Sequence, residues 1–331
     1  MQNKTKKIRL KHRLEFIFVR SFQRLLSALP FPAIEKLGPW MGSLIWIVFP
    51  YRLEVVYTNL TFAFPEKTRA EKMAMAHRIY RHYGYIFLTY LVMHRPVMRR
   101  RIENMSVTGD ACIDEALAGG KGAILAGIHY GPWEAFGAWL NMNGYPVSAI
   151  YRTQKNPLTD RFFIEHRQQF GPHLRHIAKH SVGRFVKELK QNRLLMVAVD
   201  QKGGRRGTMV PFFNRQTSIA KGAAFLHLRT GAPVLWGLPT VKNGRLALRM
   251  GHLPLPRLTE VTQENIQTIT AAILSHYETA IRKNPEPWFW FHRLWRKAYS
   301  KKIRRSFMET INPLHSAQRP ITSKKRKRPH G

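Results

Sequence analysis

In the stretch Gly127-Ile128-His129-Tyr130-Gly131-Pro132-Trp133-Glu134, a titratable imidazole precedes a carboxylate five positions on, with a glycine and a proline between them. A neutral His129 could take the proton of an attacking hydroxyl while an ionised Glu134 holds the other ring nitrogen and stabilises the imidazolium. That is general-base chemistry. A second reading is purely structural: a histidine at a strand end, followed by a glutamate in the first turn of a helix, is ordinary capping. Spacing alone leaves the two readings even.

The elements that must position this pair can be read on either side of it. Gly122 to Ile128 is an unbroken run of small and apolar residues, which predicts a strand buried on both faces of a parallel sheet. Gly131 turns the chain and Pro132 suits the start of a helix. Val147 to Arg152 and Leu194 to Val199 predict two further strands, the second running into Asp200-Gln201 and the basic, glycine-rich loop Lys202 to Gly207. That loop lacks the Gly-Lys-Ser/Thr ending of a P-loop, so no nucleotide triphosphate is expected. With strands also predicted near 233–241 and 245–250, and helices near 133–142, 159–169, 182–191, 218–229 and 262–283, the class is α/β. A mixed or parallel central sheet covered by helices is expected. The expected organisation is a mainly helical, membrane-associating region over 1–100, an α/β domain over 101–303 and a basic, disordered tail over 304–331.

The His129-x4-Glu134 turn after an apolar strand resembles the signature of the glycerolipid-type acyltransferase superfamily. Within it the chain looks most like the lipid A lauroyl/myristoyl acyltransferases of Gram-negative bacteria. Asn59-Leu60-Thr61-Phe62-Ala63-Phe64-Pro65-Glu66 is similar to the family's "NL..AFPE" element, from which no chemistry is expected, only a helix ending before Pro65. Tyr151-Arg152 with Lys155-Asn156-Pro157 resembles a second block, and Asp200-Gln201 followed by Val210-Pro211-Phe212-Phe213 a third. Asn214 stands where the family pattern carries glycine. Trp288-Phe289-Trp290-Phe291-His292-Arg293-Leu294-Trp295 resembles the closing "W-x-W-x-H-R-x-W" element. Its tryptophans suit a membrane–water interface, a packed aromatic cluster, or both at once.

The resemblance implies direct acyl transfer from an acyl carrier protein thioester to a hydroxyl of a phosphorylated, acylated glucosamine disaccharide. In that reading His129 and Glu134 are catalytic, Arg152 and Asp200 contact or shape the substrate site, and no cofactor or metal is expected. Arg152, at a strand's carboxyl end, could grip a phosphate or a developing oxyanion, although any one of this chain's many arginines taken singly reads as solvated surface. A phospholipid or glycolipid acceptor, such as a phosphatidylinositol mannoside, is the competing enzyme reading.

Charge sets the physical context. Lys and Arg number 55 against 19 Asp and Glu, a net +36, so a polyanionic partner is expected. Met1 to Pro30 interleaves basic residues with Leu10, Leu14, Phe16, Ile17, Phe18, Phe22, Leu25 and Leu26, the pattern of a helix lying in a membrane interface. Gly38 to Pro50 is the most apolar stretch, but it falls short of the roughly 20 residues that cross a bilayer core of about 30 Å. Anionic membrane lipid is therefore the expected partner surface, and the cytoplasmic face of the inner membrane the expected location, because no cleavable signal is evident. Nucleic acid is the alternative of another class; no recognisable binding motif supports it. Cys112 is the only cysteine and nothing marks it as a nucleophile. His166, His173, His176 and His180 cluster in sequence, with His176 and His180 at helical ligand spacing. The basic residues among them favour a solvated face over a metal site. No Gly-x-Ser-x-Gly elbow occurs to support a serine hydrolase.

Overall fold

The computed structural model describes residues 8–178 and 181–295. The tail expected beyond 303 and the histidine at 180 lie outside them. Five helices come first: α1 (Leu10–Ala28), α2 (Phe31–Val48), α3 (Leu53–Ala63), α4 (Arg69–Leu91) and α5 (Pro96–Glu103). As expected from Pro65, α3 ends at Ala63, with Phe64 outside helical geometry at φ −132° and ψ 67°. Glycines allow α2 and α4 to cross closely: a Cβ on Gly38, Gly42 or Gly84 would collide with the backbone of the facing helix. No described helix is long and apolar enough to cross a membrane.

The chain then alternates: β1 (Ser106–Thr108), α6 (Ala111–Ala118), β2 (Ala123–Gly127), α7 (Trp133–Met142), β3 (Val147–Tyr151), α8 (Pro157–Gln168), β4 (Arg175–Ala178), α9 (Val182–Lys190) and β5 (Leu194–Ala198). A hairpin of β6 (Thr208–Phe212) and β7 (Arg215–Ile219) follows, then α10 (Gly222–Thr230), β8 (Val234–Lys242), β9 (Arg245–His252) and α11 (Gln263–Lys283). Seven strands form one sheet in the order β1-β9-β8-β2-β5-β3-β4, parallel from β8 to β4, with β9 antiparallel to β8. The expected α/β class, with its helical N-terminal region and helix-covered sheet, is what the chain forms.

Strand β2 shows why its run is apolar throughout. Ile124 and Ala126 belong to one hydrophobic core, and Ala123 and Leu125 to the other on the opposite face. Side chains alternate across a strand, so a strand covered on both sides has no polar positions.

Two predicted features are corrected. The helix expected near 218–229 starts only at Gly222, because Arg215–Ile219 pairs antiparallel with Thr208–Phe212. The turn joining these strands is Phe213-Asn214, both left-handed at φ 51° and 56°; Asn214 thus tolerates the backbone for which the family pattern carries glycine. His176 lies in an edge strand paired to β3, not on a helix, so the proposed helical spacing with the histidine at 180 does not exist at that end. Among the described residues no cluster suited to a metal ion occurs.

Candidate active site

Strands β2, β5 and β3 are neighbours and parallel, so the residues that follow them emerge together at one edge of the sheet: His129 after β2, Asp200 after β5 and Arg152 after β3. Open α/β sheets bind ligands at this carboxyl edge. The His129 turn is fixed by Gly131, at φ 52°, where a Cβ would run into the Pro239 carbonyl oxygen. Its backbone is clamped from outside by a strap of chain near residues 287–289. Gly131 N donates to Pro287 O (2.8 Å), Phe289 N donates to His129 O (2.9 Å), and Tyr83 Oη donates to Pro287 O (2.6 Å).

His129 meets Asp200 twice. Its backbone N–H donates to Oδ2 at 2.8 Å and its Nδ1 lies 2.8 Å from Oδ1. Trp288 Nε1 donates to the same Oδ2 at 3.1 Å, and Asp200 is wholly buried. Burial alone would raise the Asp200 carboxyl, but the charge and hydrogen bonds of His129, with His292 beyond, pull it down to about 2. The carboxylate is ionised and can only accept, so Nδ1 carries the proton and Nε2 keeps its lone pair. Burial pushes the His129 imidazole down; the charge and hydrogen bond of Asp200, helped by the charge of Glu134, more than offset this and leave it above its ordinary value.

Glu134 does not hold His129. It lies in the first turn of α7 and faces α8, where Arg167 grips it with both arms of the guanidinium, Nε to Oε2 at 2.8 Å and Nη2 to Oε1 at 2.6 Å. Burial raises the Glu134 carboxyl, but Arg167 outweighs it and keeps the carboxyl below its usual range. The glutamate's effect on the imidazole is therefore through-space charge, while the orienting contact expected of it is made by Asp200. The reason is topological. Asp200 leaves the strand directly beside β2, whereas the helical turn after His129 carries Glu134 round toward α8.

His129 opens into a cavity of about 310 Å³ between the sheet and α7, lined also by Arg152, Gln154, Arg167, His176 and Gln201. A second, more apolar cavity of about 690 Å³ runs on between α7 and the α2–α4 pair, past Tyr83, Ile86, Thr89, Phe163 and Phe289. The two share Met93, Trp133, Glu134, Gln154 and Arg167 as a common wall. Arg152 is exposed at the mouth of the first. The edge of the sheet thus gathers His129, Asp200 and Arg152, with Glu134 one layer behind on its own ion pair.

Sequence reasoning missed Arg167, Trp288 and Tyr83 as parts of this site. The closing aromatic element was the available signal. Its two readings resolve toward packing: Trp288 and Trp290 are fully buried and Trp295 nearly so, in contact with Phe212 and Phe213. Asn59, of the element from which no chemistry was expected, is buried and donates to the carbonyls of Trp290 (2.7 Å) and His292 (2.9 Å), a structural role.

Residues 1–297 match the family model described as bacterial lipid A biosynthesis acyltransferase. The chain is 26% identical over 273 residues to a lipid A biosynthesis lauroyltransferase of Escherichia coli (strain K12), which covers 81% of this chain and 87% of that one. It is 25% identical over 270 residues to a lipid A biosynthesis palmitoleoyltransferase of the same strain, covering 80% and 85%. It is also 28% identical over 221 residues to a phosphatidylinositol mannoside acyltransferase of Mycobacterium tuberculosis (strain ATCC 25618 / H37Rv), covering 65% and 67%.

Proposed function

The chain belongs to the bacterial lipid A biosynthesis acyltransferases, and from that premise we propose that it moves a fatty acyl chain from an acyl carrier protein thioester to a hydroxyl of a lipid A precursor at a membrane surface. It is an acyltransferase; the donor, the particular acceptor and the membrane are the proposal. The observation that carries it is a histidine paired through Nδ1 with a buried aspartate, lining a cavity that shares a wall with a larger, more apolar one.

In this reaction Nε2 of His129 takes the proton of the acceptor hydroxyl as the oxygen attacks the thioester carbonyl. Asp200 holds the imidazole in the required tautomer and stabilises the imidazolium, and Glu134 adds negative charge nearby while keeping Arg167 in the wall. The tetrahedral adduct collapses with breakage of the carbon–sulfur bond, the imidazolium returns its proton to the departing thiolate, and an ester and a free thiol are left. General-base help of this kind contributes about 10²–10⁴ in rate. Arg152, exposed at the mouth, pairs with a phosphate of the acceptor or with the developing oxyanion.

The larger cavity suits the hydrocarbon chain of the donor. Its walls include Ile45, Phe49 and Phe87, which are also exposed at the surface, so it opens onto an apolar exterior. That exterior continues in Trp40, Leu44, Ile47 and Val48 of α2, while Leu10, Leu14, Ile17, Phe18 and Leu25 of α1 are exposed among Lys11, Arg13, Arg20 and Arg24. Apolar side chains rimmed by cations support peripheral binding to anionic lipid, at the cytoplasmic face of the inner membrane.

The test is mass spectrometry of products from purified protein given an acyl carrier protein thioester and either a phosphorylated, acylated glucosamine disaccharide or a phosphatidylinositol mannoside in mixed micelles. Addition of one acyl group to the disaccharide supports the proposal. Acylation of the mannoside alone moves the acceptor to the glycolipid class, and acylation of neither refutes the transfer reaction as written.

A further inference from the structure

The reaction above gives no role to the tryptophans of the strap, although Phe289 of the same strap borders the larger cavity. The strap lies against the His129 turn as a short antiparallel bridge between Tyr130 and Trp288. Trp288 borders neither cavity, so it does not meet a substrate there. Its indole N–H is instead the third donor to Asp200. Oδ2 takes both Trp288 Nε1 and the His129 backbone N–H, which leaves Oδ1 for the imidazole. The ring that carries this donor is wedged edge-on against Phe212 (5.6 Å between centroids) and Trp290 (4.6 Å), and tilted on Phe213 (5.9 Å). A buried indole usually finds a partner for its N–H; for Trp288 the partner is the aspartate that serves the histidine.

We propose that Trp288 is a positioning residue for the transfer reaction. Its N–H fixes the Asp200 carboxylate so that Oδ1 alone faces His129 Nδ1, and the strap that carries it locks the His129 backbone in register. This rests on the reaction proposed above and extends it to the closing aromatic element. The neighbouring Trp290 is an internal control. It is equally buried in the same cluster, but its Nε1 donates to Pro285 O at 2.7 Å and not to the carboxylate.

Removing the Trp288 donor leaves a more basic carboxylate that holds the imidazolium more tightly, so the His129 titration moves to higher pH, by about half a unit to one unit. The other groups that bear on the pair are Glu134 through its charge, His292 with its ring 5.2 Å from that of His129, and the hydroxyls of Tyr83 and Tyr277 near Asp200; none of them is altered by the substitution.

The experiment compares wild type, Trp288→Phe, Trp290→Phe and a protein carrying 3-benzothienylalanine at 288, which keeps the bicyclic shape and replaces N–H by sulfur. His129 is titrated by NMR on the full chain, and kcat and KM are measured against pH. The expected result is an upward shift of the His129 titration and of the acid limb of kcat in both 288 variants, with kcat reduced about tenfold and KM for both substrates unchanged, while Trp290→Phe titrates as wild type. An unshifted titration in the benzothienyl protein, or an equal shift in Trp290→Phe, overturns the proposal. The NMR readout needs no turnover, so loss of this inference and loss of the transfer reaction are told apart; should Trp288→Phe fail to fold, the isosteric protein carries the test.

Discussion

Asp200→Asn is the substitution whose outcome the geometry dictates most closely. The carboxylate accepts three donors through two oxygens: the His129 and Trp288 N–H groups on Oδ2, and His129 Nδ1 on Oδ1. An asparagine amide has one oxygen. Placing its NH2 at the Oδ2 position would oppose two N–H groups that cannot turn away, so the amide oxygen takes that place and the NH2 faces Nδ1. The imidazole must then accept at Nδ1 and carry its proton on Nε2, the tautomer unable to receive a proton from a hydroxyl. A comparable aspartate-to-asparagine change in the serine-protease triad lowers kcat by about 10⁴ through the same tautomer error, and a loss of roughly 10³–10⁴ is expected here. Because the amide keeps two of the three contacts, folding survives. Single-turnover transfer of a radiolabelled acyl chain, with circular dichroism to confirm folding, measures the effect. A folded Asp200→Asn protein within tenfold of wild type would refute the assignment of Asp200 as the partner of His129.

Glu134→Gln acts mainly on stability. It leaves the Arg167 guanidinium short of its fork partner, at a cost of ~2–3 kcal/mol once the partial exposure of both side chains is allowed for, and Glu134→Gln/Arg167→Met recovers most of this in urea titrations. In the pH–rate profile, His129 must be neutral to act, and its value is raised, so activity falls with falling pH through a midpoint above the ordinary histidine value of about 6.5; a midpoint below that value contradicts the Asp200 contact. Asp200 has the opposite sign: its value falls to about 2 on folding, so the stability it contributes is present above about pH 4 and is lost as pH drops toward 2, as thermal melts between those limits check. Filling the larger cavity with Thr89→Phe shifts donor preference to shorter chains, each excluded methylene being worth about 1–3 kcal/mol in relative kcat/KM. An unchanged chain preference removes that cavity as the acyl site.

Much of the scaffold was legible because periodicity reports burial directly. The strands carrying His129, Arg152 and Asp200 were each found to within a residue, since runs such as Ala123–Gly127 have no polar position when both faces are covered. The β6–β7 hairpin, part of which falls in the helix expected near 218–229, has no local signature because its turn is Phe213-Asn214, where a buried phenylalanine takes a left-handed backbone and gives no glycine signal. Of the candidate site, the sequence places His129, Arg152 and Asp200 after strands of the sheet, but it shows neither their pairing nor Arg167, Trp288 and Tyr83 around them. His129 and Glu134 are neighbours in sequence, yet the contact that matters spans 71 positions to Asp200, and the partner of Glu134 spans 33 to Arg167. Such distances follow from which strands are adjacent in the sheet, and strand order is not written in local pattern. Trp288 was hidden for another reason: an indole in an aromatic run looks the same in sequence whether its N–H meets a carbonyl, as in Trp290, or a carboxylate.

The central claim is that the imidazole of His129 is the base in acyl transfer. The most direct measurement is the mass-spectrometric yield of acylated acceptor from wild type and His129→Ala under identical conditions in anionic mixed micelles. His129→Ala is predicted to fold, to bind the micelles as wild type does, and to lose transfer by about 10²-fold or more. A folded His129→Ala protein that transfers at the wild-type rate would contradict the claim.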